Sequence, residues 1–144
     1  MTRFEGRQEI ARSPEEVFAF VADPRNDPLW CPRVLGCEQR AGDGVEVGAR
    51  FAARHSPSLK RPHERTIDVL ELDAPRRIVT LQRDQVADFT ITYEVEPTAT
   101  GAALTQRDDI DWKIPFWQVP VAWPIVRSHV SSQLASLKRV LEAG

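Results

Sequence analysis

Cysteine is scarce in this chain: only Cys31 and Cys37 occur in 144 residues. Two thiols are too few for a disulfide framework or a four-cysteine zinc site. The sequence has no His-Glu-x-x-His pair, no cluster of Cys and His ligands and no phosphate-cradling glycine loop. Ser13, Ser56 and Ser131 lack the context of a nucleophile elbow. Long apolar runs are missing too. The longest early one, residues 17–22, is far too short to cross a bilayer, and residues 1–7 have no signal-peptide core. Nor is there an excess of charge: nineteen basic and twenty-one acidic residues leave a formal charge of -2. Such a balance gives no global field to gather phosphate backbones, so nucleic acid is not an expected partner. The expectation is a cytoplasmic protein with reduced thiols, no metal, no cofactor and no stable membrane insertion.

What is present is an order of elements. With 42% hydrophobic and 28% charged residues, the chain has the composition of one folded domain over residues 1–144. Residues 4–12 alternate as a strand, with Phe4, Gly6, Gln8 and Ile10 on one face. Ser13-Pro14-Glu15-Glu16 then opens a helix. The Ser13 hydroxyl is placed to accept a free backbone N–H, Pro14 suits the first turn, and Glu16 completes a capping box. Val17, Phe18 and Val21 form its apolar stripe, and Asp23-Pro24 stops it, because a residue before proline avoids the α region. Asp23 can cap a further short turn through Asn26, ended by Asp27-Pro28.

Val34 to Trp112 reads as a meander of about six strands between turn signals. Gly42-Asp43-Gly44 and Gly48 punctuate a hairpin between residues 34–40 and 49–55, and residues 56–62 form a looser loop. Strands over 64–72, 77–83, 87–96 and 103–112 follow. Residues 112–124 are unusual in interleaving Trp112, Trp117 and Trp123 with Pro115, Pro120 and Pro124. Proline breaks a helix interior, so this stretch reads as short helical pieces or loop. A continuous helix is expected from Pro124 to Glu142, with Val126, Val130, Leu134, Leu137 and Leu141 as its stripe. Lys138 and Arg139 would complement the dipole near its C-terminus.

These elements carry a resemblance. In Ile10-Ala-Arg-Ser-Pro-Glu-Glu-Val-Phe-Ala-Phe20 with Asp23-Pro24, in Pro28-Leu-Trp30, in Glu71-Leu-Asp-Ala-Pro-Arg-Arg-Ile78 and in the closing helix, the chain resembles the START-like, helix-grip (SRPBCC) superfamily. That group includes birch-pollen-allergen-like proteins, polyketide cyclases/aromatases and lipid-transfer domains. The resemblance covers essentially the whole chain. It implies an α+β fold: a seven-stranded antiparallel sheet curved around a long C-terminal helix, two short helices after the first strand, and a cavity in between. One such scaffold hosts carriers, sensors and enzymes, so it does not by itself select among them.

Alternation along the strands nominates the cavity wall. Phe89, Ile91, Tyr93 and Val95 share an apolar face, and Leu104, Gln106, Asp108, Ile110 and Trp112 share the matching face of the next strand. A pocket on the order of several hundred Å³ is expected between Phe89, Ile91, Tyr93, Leu104, Gln106 and, on the helix, Val126 and Val130. Phe51 and Trp112 complete the ligand-binding candidates. Asp108 shares a parity with apolar neighbours, and a buried carboxylate needs a partner or a raised pKa. It reads as a ligand contact, as half of an internal pair, or, more plainly, as a rim residue paired with an Arg.

The catalytic candidates are His55, His63, Arg65 and Asp108. If their faces point inward, His55, His63 and Arg65 approach the cavity mouth from adjacent strands. Imidazole shuttles protons near neutral pH and Arg can hold an enolate, as an aldol cyclisation or dehydration would need. Against this, both histidines flank a proline-containing loop, where solvated residues are expected. Cys31 reads as a small buried hydrophobe. Segment 112–124 reads first as core or cavity wall, then as a homodimer contact, then as a transient membrane contact.

The leading functional reading is non-catalytic binding or transport of a small hydrophobic or aromatic molecule, lipid- or polyketide-like. The alternative is a polyketide cyclase/aromatase or dehydratase-type enzyme, which requires its polar candidates to converge. A third is a protein-interaction, co-chaperone-like module, which would expose the tryptophan segment.

Overall fold

The structure is a computed structural model and describes residues 2–56 and 62–143. In chain order it contains β1 (Thr2–Ile10), α1 (Pro14–Val21), a 3-10 turn (Pro24–Asn26), α2 (Asp27–Trp30), β2 (Val34–Ala41) and β3 (Arg50–His55). Then come β4 (His63–Asp73), β5 (Arg77–Arg83), β6 (Ala87–Thr98), β7 (Gly101–Trp112), a second 3-10 turn (Phe116–Gln118) and α3 (Val119–Ala143). The strands form one sheet in the order β1-β7-β6-β5-β4-β3-β2, with every neighbouring pair antiparallel. This is the seven-stranded helix-grip arrangement expected from the sequence. The loop expected over residues 56–62 lies mostly outside the described residues.

Local chemistry explains the entry to the sheet's concave side. Ser13 Oγ accepts the Glu16 backbone N–H at 3.2 Å and donates to Glu16 Oε1 at 3.0 Å, which fixes the first turn of α1. Asp23 Oδ1 accepts the Arg25 N–H at 3.0 Å and so caps the 3-10 turn. Asp27-Pro28 does not end the helical path. The chain continues as α2, with Pro28 in its first turn, where a backbone N–H would have no intrahelical partner to lose. Gly101 turns β6 into β7 with φ +153, and a Cβ there would strike the Ile10 carbonyl oxygen. Only glycine fits that close approach.

The closing helix begins earlier than its proline pattern predicts. α3 starts at Val119 and carries Pro124 inside it. A proline so near the N-terminus removes one intrahelical bond, and contact of Trp123 and Val126 with the core holds the turn in place. Of the expected stripe, Val130, Leu134 and Leu137 are buried, while Val126 and Leu141 are partly buried. The far half of α3 is tied to the end of β1. The Ala11 N–H donates to Glu142 Oε2 at 2.8 Å and Arg12 Nε donates to the Leu141 carbonyl at 2.8 Å. Lys138 pairs with Glu142 at 2.6 Å, one turn on, so its charge is engaged by a carboxylate. Because α3 runs to Ala143, Lys138 and Arg139 lie before its last turn and do not meet the helix end as expected. The fixed far half leaves the near half of α3 to roof the sheet.

Candidate functional site

Beneath that roof lies a cavity of about 80 Å³. Its floor comes from His55 on β3, Arg65 on β4, Gln82 on β5, Phe89, Ile91 and Tyr93 on β6, and Gln106 and Asp108 on β7. Asp27 and Cys31 close one side, and Val126, His129, Val130 and Gln133 of α3 close the top. The volume is far below the expected several hundred Å³, because long side chains project into the space that strand spacing alone leaves open. That is room for two or three water molecules at roughly 30 Å³ each.

Several expected positions need correcting. Leu104 and Phe51 are fully buried in the core but do not line the cavity. Trp112 is turned to the β1–β7 seam, where its indole N–H donates to Thr2 Oγ1 at 2.8 Å. Asp108 is not at an open rim beside an arginine. It is 1% exposed and accepts a 2.9 Å hydrogen bond from Gln106 Nε2. Nor are the histidines solvated: His55 is buried and the His63 side chain is 8% exposed. His63 lies beside the cavity without lining it, its ring centroid 5.7 Å from that of His55 and its Nε2 3.6 Å from Asp84 Oδ2. His55, Arg65 and Asp108 therefore meet at one cavity, and His63 does not line it.

Segment 112–124 also divides. Trp123 packs against the core, but Phe116 is 87% and Trp117 65% exposed, so cavity wall is the wrong description of its middle. The 3-10 turn that carries them projects from the end of the sheet before α3 begins.

Asp27, Val34, Gln82, His129 and Gln133 line the cavity without having been singled out from sequence. For three of them a signal was available. His129 and Gln133 fall at the i+3 and i+7 positions from Val126, on the face that Val126 and Val130 already defined. Gln82 follows Ile78 and Thr80 in strand parity, and all three are buried.

Burial and pairing set the charge of each ionisable group. Burial pushes the Asp108 carboxyl up to about 6, against the opposing effects of the Gln106 hydrogen bond and the Arg65 charge. Burial pushes Asp27 up to about 8, again opposed by Arg65. His55 is driven down to about 3 by burial and then by Arg65, so its imidazole is neutral at ordinary pH. Burial likewise raises the Tyr93 phenol and the Cys31 thiol, which leaves Cys31 unreactive as expected.

Arg65 donates from Nη2 and Nε to Asp84 Oδ2 at 2.7 and 3.2 Å, and its guanidinium lies 4.7 Å from the Phe89 ring centroid. The other Asp84 oxygen accepts the Val86 and Ala87 backbone N–H groups at 2.8 and 3.0 Å. Burial alone would raise the Asp84 carboxyl, but Arg65 and these N–H groups hold it below its ordinary value. Among the described residues, no group of three or more His, Cys, Asp or Glu side chains is arranged to hold a metal ion.

The seven-stranded antiparallel sheet and the long helix that closes over it define a helix-grip protein. The chain matches the family described as polyketide cyclase / dehydrase and lipid transport over residues 1–142, and it belongs to that family. Among solved structures it is similar to a START superfamily protein from Mycobacterium smegmatis, with 20% identity, a TM-score of 0.73, and 98% of this chain and 94% of that one covered. A major latex-like protein from Panax ginseng matches with 13% identity, a TM-score of 0.74, and 99% and 95% of the two chains covered. The di-domain ARO/CYC protein BexL of the BE-7585A biosynthetic pathway matches with 22% identity and a TM-score of 0.78 over 99% of this chain and 47% of that one. At these identities the likeness is one of fold. No curated protein sequence matches the chain. No helix among the described residues is long and apolar enough to cross a membrane.

Proposed function

We propose that residues 1–144 form a single ligand-binding domain that takes a small, mostly apolar molecule between α3 and the sheet. The observation that carries this reading is the division of one partly open cavity. Val34, Phe89, Ile91, Val126 and Val130 give it an apolar wall, and Asp27, Arg65, Gln106 and Asp108 give it a polar end. An aromatic or lipid-like body with one polar head matches such a wall. At about 80 Å³ the cavity is smaller than the roughly 150 Å³ that accommodates benzene. Binding therefore draws the near half of α3 away from the sheet, while its far half stays anchored to β1. Native mass spectrometry of freshly purified protein tests for a co-purified small molecule. Val130→Trp, which fills the cavity from α3, should abolish that adduct while the protein remains folded. A persistent adduct in that variant would place the ligand elsewhere.

A second reading, a cyclase- or dehydratase-type enzyme, is favoured by the convergence of His55, Arg65 and Asp108. Within it the proton-transfer role passes from histidine to Asp108, whose carboxyl at about 6 sits near the operating pH, whereas His55 at about 3 is a poor base. A turnover assay on a linear poly-β-ketone, with Asp108→Asn lowering the rate by about 10²–10⁴-fold, supports this reading. Equal rates in the variant sink it. Exposed Phe116 and Trp117 are also what a contact between two copies, or with another protein, would bury. Sedimentation velocity of the protein against its Trp117→Ala variant tests the homodimer. The charge balance continues to favour no nucleic-acid partner.

A further inference from the structure

The polar end of the cavity has an internal accounting that constrains what can bind there. Among the described residues, Arg65 is the only Lys or Arg side chain lining it, and that cation is already engaged by Asp84 at 2.7 Å. Asp84 is 3% exposed in its side chain and is itself held by two backbone N–H groups, so it cannot turn away to release the guanidinium. The two other acidic side chains at the cavity, Asp27 and Asp108, add negative charge or none.

Two nine-tenths-buried side chains on the same wall meanwhile lack partners among the described residues. Gln106 Oε1 accepts nothing, because the amide is oriented by its Nε2 bond to Asp108. His55 Nδ1 is likewise unsatisfied. Unpaired buried polar atoms are costly, by roughly 1–3 kcal/mol each, so a ligand that hydrogen-bonds both atoms is favoured over one that does not.

We propose, building on the ligand-binding reading above, that this cavity selects a ligand with an uncharged, hydrogen-bond-donating head, a phenol or alcohol hydroxyl, and rejects carboxylates. The hydroxyl hydrogen goes to Gln106 Oε1, and His55 Nδ1 takes up a lone pair or a second hydroxyl of the ligand. A carboxylate offers Gln106 Oε1 no hydrogen and would bring a third oxyanion to a site whose one cation is paired. Lipids ending in a free fatty acid are thereby disfavoured, while hydroxylated aromatics and neutral alcohols are favoured.

The test uses matched probes, 4-ethylphenol and 4-ethylbenzoate, titrated into the full chain at pH 7.5 and followed by amide chemical shifts of α3 and β7. The phenol should bind at least tenfold more tightly. Asp84→Asn keeps the acceptor for the Val86 and Ala87 N–H groups but frees the Arg65 charge, and it should shift the preference toward the benzoate by tenfold or more. Asp108→Asn, which removes one negative charge and leaves Arg65 paired, should shift it the same way, so the outcome does not depend on one variant folding. Equal or tighter binding of the benzoate to the unsubstituted protein would overturn the selectivity and leave the ligand-binding reading standing. Binding of neither probe, together with no co-purified ligand, would overturn both.

Discussion

Gln106 Nε2 donates a 2.9 Å hydrogen bond to Asp108 Oδ1, two residues along the same inward face of β7. The bond is the carboxyl's only hydrogen bond to a side chain among the described residues, and it does not offset burial. The Asp108 carboxyl sits at about 6 rather than at its ordinary 3.8. Between those values the folded chain holds a proton that the unfolded chain has released. Asp108 therefore contributes stability that is fully present below about 4 and is lost as pH rises through 6. Asp108→Asn keeps the oxygen that accepts from Gln106 and cannot ionise. Relative to the unsubstituted protein it should be more stable at pH 8 than at pH 4, by on the order of 2–3 kcal/mol. Urea unfolding at the two pH values checks this, and an equal difference at both would contradict the burial argument.

His55 works in the opposite sense. Its folded value near 3 lies below the ordinary 6.5, so the unfolded chain takes up a proton in a range where the folded one resists it. Stability contributed by neutral His55 is present above 6.5 and is lost as pH falls toward 3. His55→Gln should flatten the decline in stability between pH 6.5 and 4. Acid titration followed by circular dichroism reads the effect. Asp84, held below its ordinary value, acts only in a lower window, below about 4.

Leu134 is 5% exposed and Leu137 is fully buried, where α3 meets the sheet. Changing either to Ala should cost about 2–5 kcal/mol. Denaturant midpoints at constant m-value give the numbers, and losses under about 0.5 kcal/mol at both sites would be incompatible with this helix face.

Gly6 and Leu134 are coupled by space. A Cβ on Gly6 would lie 2.7 Å from Leu134 Cδ1 and 3.0 Å from Phe4 Cζ. Gly6→Ala should cost about 1–3 kcal/mol through overpacking. In the double variant with Leu134→Ala the two costs should not add, because the truncated leucine vacates the space the new methyl needs. Simple additivity within about 0.3 kcal/mol would show that α3 does not sit over β1 as described.

Trp30 is 1% exposed and Trp117 is 65% exposed. Most of the tryptophan emission that iodide can quench should therefore disappear in Trp117→Phe. If the quenchable fraction is unchanged, the turn bearing Phe116 and Trp117 is covered in solution.

Much of the fold was readable because its signals are local. Ser13 and Asp23 cap their turns through atoms two or three residues away. The alternation along β6 and β7 placed Phe89, Ile91, Tyr93, Val95, Leu104, Gln106, Asp108 and Ile110 on the buried face, though Thr92 and Ala103 of the other parity are buried too. Helix limits near proline were less readable. A proline's cost depends on which backbone bond it removes, and contact with the core keeps α3 intact through Pro124. The cavity was half readable: parity placed Phe89, Ile91, Tyr93, Gln106, Val126 and Val130 on its wall, but not which candidates stop short of it.

By itself, then, the sequence determined the order of elements, the inward faces of the strands and the apolar stripe of the last helix, since capping, turns and alternation act over a few residues. Only the tertiary structure decided that Asp84 of the β5–β6 turn takes the Arg65 charge, that His63 lies beside the cavity while His55 lines it, and that Asp27 joins Asp108 there. Arg65 on β4 and Asp84 just after β5 stand nineteen residues apart, and Asp27 and Asp108 come from α2 and β7. Their geometry is set by sheet curvature and side-chain volume, which no local pattern records.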